Sequence, residues 1–198
     1  MRQRSDEWYQ ARLHRITASR MGDVLAAPST KRYQNYMNEI VDAFIGVPDF
    51  ENDIDKPWFY HGIAWEDEAR GRYEWIQGCD VAQVGIIVHP KYDYISCSPD
   101  GLVGNDGGIE IKCRKSLKSH LSAVRKGLPP EHKPQVQASL WITGRKWWDF
   151  ISYYKNKETG TTNIHIYNVL PDDEYIKKLE KRCIEFWQQT RDMVDELF

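Results

Sequence analysis

The chain has 198 residues, a formal net charge of −2 and 41% hydrophobic residues. That size fits one domain, 1–198, with an ordinary core, and the near-balanced charge excludes a uniformly basic nucleic-acid coat, so contact with a polyanion needs a local patch. Cys79, Cys97, Cys113 and Cys183 show no CxxC pair and no zinc-like spacing and read as reduced thiols; no run of about 18 apolar residues marks a membrane span, and the polar stretch Met1–Glu7 lacks the apolar core of a signal peptide.

Ser5 is a capping residue ahead of a helical pattern through Arg12, with Trp8 and Ala11 on its inner face. Ile16-Thr17-Ala18-Ser19 leads into a second helix that reaches about Ala26. Arg12, Thr17 and Ser19 have two readings: a phosphate-binding group near a helix start, or an exposed arginine beside an N-cap. Tyr36, Ile40, Val41 and Phe44 predict a helix from Lys31 to Val47, and acidic Asp49–Lys56 a loop. His61–Gln77 is helical again, with Trp65, Ala69 and Tyr73 on one face, Glu66 near its edge, and Glu68 and Glu74 elsewhere.

Val81–His89 and Lys91–Ser98 read as two strands joined at His89-Pro90, and Ile109–Cys113 as the next; together they predict a central sheet. Gly104-Asn105-Asp106-Gly107-Gly108 is a turn. A hairpin there brings Asp100 back beside Glu110, while strand alternation puts Glu110 and Lys112 on one side and Ile111 on the other. Two carboxylates held close repel until a cation arrives, and a hard divalent ion prefers such oxygen ligands; the plainer reading is a salt bridge on a hairpin with Asp100 as a turn residue. From Lys112 the chain is basic, with Arg114, Lys115, Lys118, Arg125, Lys126 and Lys133, which reads either as a track for phosphates or as a solvated helix face. Pro134 fits the first turn of a helix Gln135–Thr143, where Gln135 orients a water, contacts DNA or is merely solvated. Trp147–Tyr154 and Asn163–Val169 read as strands. A long terminal helix follows Pro171, with Ile176, Leu179, Cys183, Phe186, Trp187, Met193 and Val194 as its packing stripe.

Five blocks now agree in order: Glu7-Trp8-x-x-Ala11-Arg12-Leu13 with Ile16–Ser19; Trp65-Glu66-x-x-Ala69-Arg70; Cys97-Ser98-Pro99-Asp100-Gly101-Leu102; Gly108-Ile109-Glu110-Ile111-Lys112-Cys113; and Gln135-Val136-Gln137-x-x-Leu140-Trp141. In these the chain resembles the lambda-exonuclease-like (YqaJ-type viral recombinase) family of the PD-(D/E)xK nuclease superfamily. The resemblance implies an α/β fold with a restriction-endonuclease-like core, a central mixed sheet flanked by helices. It implies that Asp100, Glu110, the carbonyl of Ile111 and Glu66 hold two Mg2+ ions, for which Mn2+ substitutes. Lys112 positions and activates the attacking water, with Gln135 flanking the site. Arg12, Ser19 and Ser98 form a 5′-phosphate pocket, extended by Lys118, where the family typically carries arginine; lysine lacks its bidentate fork. His14 stands where a glycine is usual. The implied activity is a 5′→3′ exonuclease on double-stranded DNA that leaves 3′ overhangs, working as a homotrimeric ring with a single-strand annealing protein in the cytoplasm of a bacterial or phage-infected cell. An endonuclease on the same core and a non-catalytic DNA-end-binding protein are the alternatives.

Overall fold

The computed structural model describes residues 2–46 and 57–197, with the side chains of the helix opened by Pro57 described from Trp65 onward. In chain order these are α1 (Asp6–Arg12), β1 (Ile16–Thr17), a 3-10 turn (Ala18–Arg20), α2 (Met21–Val24), α3 (Lys31–Phe44), α4 (Pro57–Gln77), β2 (Val81–Ala82), β3 (Ile87–Val88), β4 (Ile95–Cys97), β5 (Gly101–Val103), β6 (Gly107–Arg114), α5 (Leu117–Lys126), α6 (Lys133–Thr143), β7 (Trp147–Lys155), β8 (Thr162–Val169) and α7 (Asp173–Leu197). Five strands form a mixed sheet in the order β2-β5-β6-β7-β8. Its pairs are antiparallel except β6 and β7, which run parallel from Gly107↔Trp147 to Arg114↔Tyr154. Parallel neighbours need a crossover, and α5 with α6 supplies it.

Alternation along β6 and β7 sets the layers. Ile109, Ile111, Ile151 and Tyr153 pack against Ala69 and Tyr73 of α4. Trp148 and Phe150 point to the other side and pack against Val136 and Leu140 of α6. Phe150 is 1% exposed, and burying such a side chain contributes roughly 2–3 kcal/mol. The aromatic strand is therefore core. A third cluster joins α2, α3, α6 and α7 to a small sheet, with Met21, Tyr33, Tyr36, Cys183 and Phe186 at its centre.

The stretch 81–98 differs from the expected pair of central strands. β2 edges the large sheet, whereas β3 and β4 form a separate three-stranded sheet with β1, in the order β1-β4-β3. The cause is a set of long-range bonds. The carbonyls of Val84 and Gly85 accept from the Gln3 amide and the Trp8 indole instead of from a neighbouring strand. His89 Nδ1 then accepts from the amides of Lys91 and Tyr92 and turns the chain there. β1 is too short to show periodicity and is held parallel to β4 by pairing Ile16↔Ile95 and Thr17↔Ser96. The segment expected as one helix after Ser19 splits into the 3-10 turn and α2. The predicted acidic loop Asp49–Lys56 lies outside the described residues, and the side chains at the beginning of the helix predicted from His61 lie outside the described side chains.

The N-terminal end of β6 is a close approach. A Cβ on Gly108 would overlap the edge of the Trp148 ring, which is fully buried. Gly108→Ala is therefore expected to destabilise the chain by about 1–3 kcal/mol, the usual cost of overpacking. A lowered urea midpoint at unchanged slope checks this; an unchanged or raised midpoint contradicts it.

Candidate active site

β5 stays beside β6 for three residues, pairing Gly101↔Ile109, Leu102↔Gly108 and Val103↔Gly107. Beyond Ile109 the edge of β6 facing away from β7 lacks a strand partner among the described residues. Asp100, the residue before β5, fills the gap: its Oδ2 accepts the Ile111 N–H at 2.6 Å. Within a strand the N–H and C=O of one residue face the same side, so the Ile111 carbonyl opens toward Asp100 as well. On the next residue Lys112 Nζ reaches Glu110 Oε1 at 2.6 Å. The hairpin thus brings together Asp100, Glu110, Lys112 and the Ile111 carbonyl.

Glu110 is 2% exposed, and Asp100 is half-buried. Burial, then the charge of Glu110, then that of Glu66 push the Asp100 carboxyl well above the ordinary range, against the pull of Lys112 and the Ile111 amide. Burial favours neutral Lys112, but Glu110 and Asp100 outweigh it and hold the ammonium protonated. The donors fit a hard divalent cation: they are all oxygens, and the repulsion that lifts Asp100 is what such a charge relieves.

Glu66 lies within electrostatic reach of Asp100, while Glu68 pairs with Lys155 at 2.7 Å on the outer surface. This favours Glu66 over Glu68 as the third acid. Its carboxylate is turned onto two guanidinium groups, however: Arg70 at 2.8 Å and Arg4 at 2.6 Å. Arg70 also donates to the Asp100 carbonyl at 3.1 Å, tying α4 to the hairpin. Among the described residues no three carboxylate, histidine or cysteine side chains are already gathered in metal-ligating geometry. Asp149, another buried carboxylate, is satisfied by Tyr73 and Asn168 at 2.7 Å each and stands apart.

A second group adjoins the first. Arg12 Nη1 donates to Ser98 Oγ at 3.2 Å and Nη2 to Ser19 Oγ at 3.4 Å, with Thr17 Oγ1 at 3.3 Å from Ser19 Oγ. The Arg12 guanidinium lies over the Trp8 ring, 4.2 Å from its centroid, and the Trp8 indole donates to Ser98 Oγ at 2.9 Å. Trp8, which the sequence places on the inner face of its helix, is thus a partner of Arg12 and Ser98; its i, i+4 spacing from Arg12 on a helix is the available signal. His14 takes the left-handed backbone a glycine would take, with φ 61°. It is kept there by its ring nitrogen Nε2 at 3.0 Å from the Ala43 carbonyl and by the Phe44 ring, so the turn from Arg12 to β1 survives the substitution.

Two expected residues are not joined to these groups. Lys118 stands exposed in the first turn of α5, and among the described residues no hydrogen bond or ion pair links it to Arg12, Ser19 or Ser98. Gln135 is half-buried near the start of α6, whereas Gln137 is the glutamine with a structural task, bonding the Leu170 carbonyl and the Asp172 amide. Near Lys112, Arg114 Nη1 lies 3.4 Å from His132 Nε2. Burial, then the charges of Lys112 and Arg114, depress the His132 pKa to about 3, so its ring is neutral.

A YqaJ-like viral recombinase domain matches residues 7–146. The chain is 33% identical to an alkaline exonuclease from Laribacter hongkongensis, with a TM-score of 0.85 over 98% of this chain and 96% of that one; that enzyme has also been solved with dAMP. A phage related exonuclease from Haemophilus somnus 129PT shares the fold at TM-score 0.70 and 14% identity, over 93% and 96% of the two chains. An uncharacterized protein of Acanthamoeba polyphaga mimivirus is 26% identical across 92% of this chain, which spans 35% of that protein's length. With the domain match running over most of the chain and both groups of side chains falling inside it, this chain belongs to the YqaJ-like viral recombinase family.

Proposed function

We propose that the chain is a divalent-metal-dependent nuclease that degrades double-stranded DNA from the 5′ end. One observation carries this reading: the acidic group and the Arg12 group share the segment Ser98–Asp100. A terminal phosphate held by Arg12, Ser19 and Ser98 lies one short stretch of chain from the carboxylates, so the pocket sets which phosphodiester is presented. Membership of the recombinase family supports a DNA-processing nuclease, and the 33% identity to the alkaline exonuclease supports exonuclease action.

In this mechanism Asp100, Glu110 and the Ile111 carbonyl hold one Mg2+ ion and Glu66 joins in holding a second, with Mn2+ as a substitute. Bound there, the ions supply Lewis-acid charge to the scissile phosphate and acidify the attacking water. Lys112, anchored by Glu110, acts as a cation and hydrogen-bond donor that positions the water and counters charge developing on phosphorus. Gln135 orients the water or the neighbouring phosphate. Arg12 holds the 5′-phosphate by charge-assisted bonds, its guanidinium steadied by its place over the Trp8 ring. The exposed Lys115, Lys118, Arg125 and Lys126 extend a positive surface from the end of β6 along α5 and suit the DNA backbone. Hydrolysis of the 5′-ended strand leaves a 3′ overhang for single-strand annealing. A homotrimeric ring, an annealing partner and a cytoplasmic site of action belong to the same proposal. No described helix is long and apolar enough to cross a membrane.

Lys112→Ala is expected to lower cleavage of linear duplex by about 10²–10⁴-fold while leaving DNA binding in Ca2+ intact by gel shift; wild-type turnover in the variant rejects the assigned role. Arg12→Ala is expected to reduce the preference for 5′-phosphorylated over 5′-hydroxyl ends by about 10–100-fold, the loss of one or two charge-assisted bonds. Digestion of phosphorylated, dephosphorylated and closed circular DNA side by side checks this. Cutting of the circle points instead to an endonuclease on the same core, and intact DNA in every lane to a binding protein.

A further inference from the structure

Glu66 is gripped by two guanidinium groups of different character. Arg70, 5% exposed, sits four residues along the same helix and is fixed by further bonds to Asp67 and to the Asp100 carbonyl. Arg4 arrives from outside the helix, its side chain is 34% exposed, and it covers the other carboxylate oxygen, Oε2, at 2.6 Å. Its approach is arranged. The Gln3 amide donates to the carbonyls of Val84 at 2.9 Å and of Pro99, next to Asp100, at 2.7 Å. Arg4 itself has φ 67°, a left-handed backbone that a residue with a side chain disfavours. The first residues are therefore stitched to the start of the hairpin in a conformation chosen by tertiary contacts, with a positive charge laid on Glu66.

We propose that Arg4 is an internal cation that occupies Glu66 in the metal-free chain and yields it to a divalent ion, so that the Gln3–Arg4 segment guards the second metal position. The inference rests on the nuclease reading above. A carboxylate already balanced by two guanidinium groups has no charge to spare for a further cation, and a divalent ion beside Arg4 meets repulsion. One guanidinium must withdraw. Arg70 is buried, whereas Arg4 is partly in solvent, where an ion pair is weak. Arg4 is thus the one displaced, and by reciprocity the ion loosens the segment as much as the segment opposes the ion.

The test is calorimetric titration of Mn2+, without DNA, into the wild type and into Arg4→Ala, Arg4→Gln, Glu66→Gln and Asp100→Asn variants. Removal of Arg4 by either substitution is expected to tighten the weaker binding step about two- to fivefold, the worth of a partly exposed ion pair. Glu66→Gln is expected to lose that step, and Asp100→Asn the tighter one. Mn2+ is also expected to speed amide hydrogen exchange at residues 3–5 in the wild type and not in Glu66→Gln. Unchanged or weaker Mn2+ affinity in both Arg4 variants, with Asp100→Asn behaving as expected, overturns the inference and leaves the nuclease reading standing. Wild-type Mn2+ binding by Asp100→Asn removes the nuclease reading and this inference with it.

Discussion

The arrangement depends on one backbone hydrogen bond. β5 leaves β6 after Ile109, and an amide stranded at a sheet edge must find an acceptor or lose the free energy of a hydrogen bond. Ile111 finds the Asp100 carboxylate. That bond fixes Asp100 beside Glu110 and turns the Ile111 carbonyl the same way. It also leaves Lys112 on the face where Glu110 can hold it. Sheet splitting and site assembly are therefore a single event: a β5 two residues longer would pair with Ile111 and push Asp100 out.

Charge neutrality follows from the same geometry. Asp100, Glu110 and Glu66 meet Lys112, Arg70 and Arg4. Burial alone would favour a protonated Asp100, and its raised pKa shows that pressure. The three basic side chains keep the set compact without sealing it, because Arg4 and Lys112 retain contact with solvent. The Arg12 group is built by a different device, a tryptophan that lies under the Arg12 guanidinium while donating to the serine Arg12 also contacts.

How far the sequence disclosed this depends on the range of the interactions. α3, α4, α7 and the strands β6 to β8 carry local periodicity, and all were legible within a few residues. The convergence of Asp100 with Glu110 and Lys112 followed from a glycine turn and strand alternation, which are also local. The division of 81–98 between two sheets was not legible, because Gln3 and Trp8 decide it from more than 70 residues away. The same holds for Arg4 on Glu66, 62 positions apart. Glu66 and Glu68 differ by two positions on a helix, and only the structure shows what each meets, Arg70 and Arg4 for Glu66 and Lys155 for Glu68. Lys118, which the resemblance groups with Arg12, Ser19 and Ser98, stands exposed in the first turn of α5.

Diffraction from crystals soaked in Mn2+, recorded at the manganese edge, tests the central claim most directly. The account predicts an anomalous peak bound by a carboxylate oxygen of Asp100, one of Glu110 and the carbonyl of Ile111, at the roughly 2.0–2.2 Å typical of small hard cations. A fully occupied ion elsewhere, with Asp100 and Glu110 close together and bare, would contradict it.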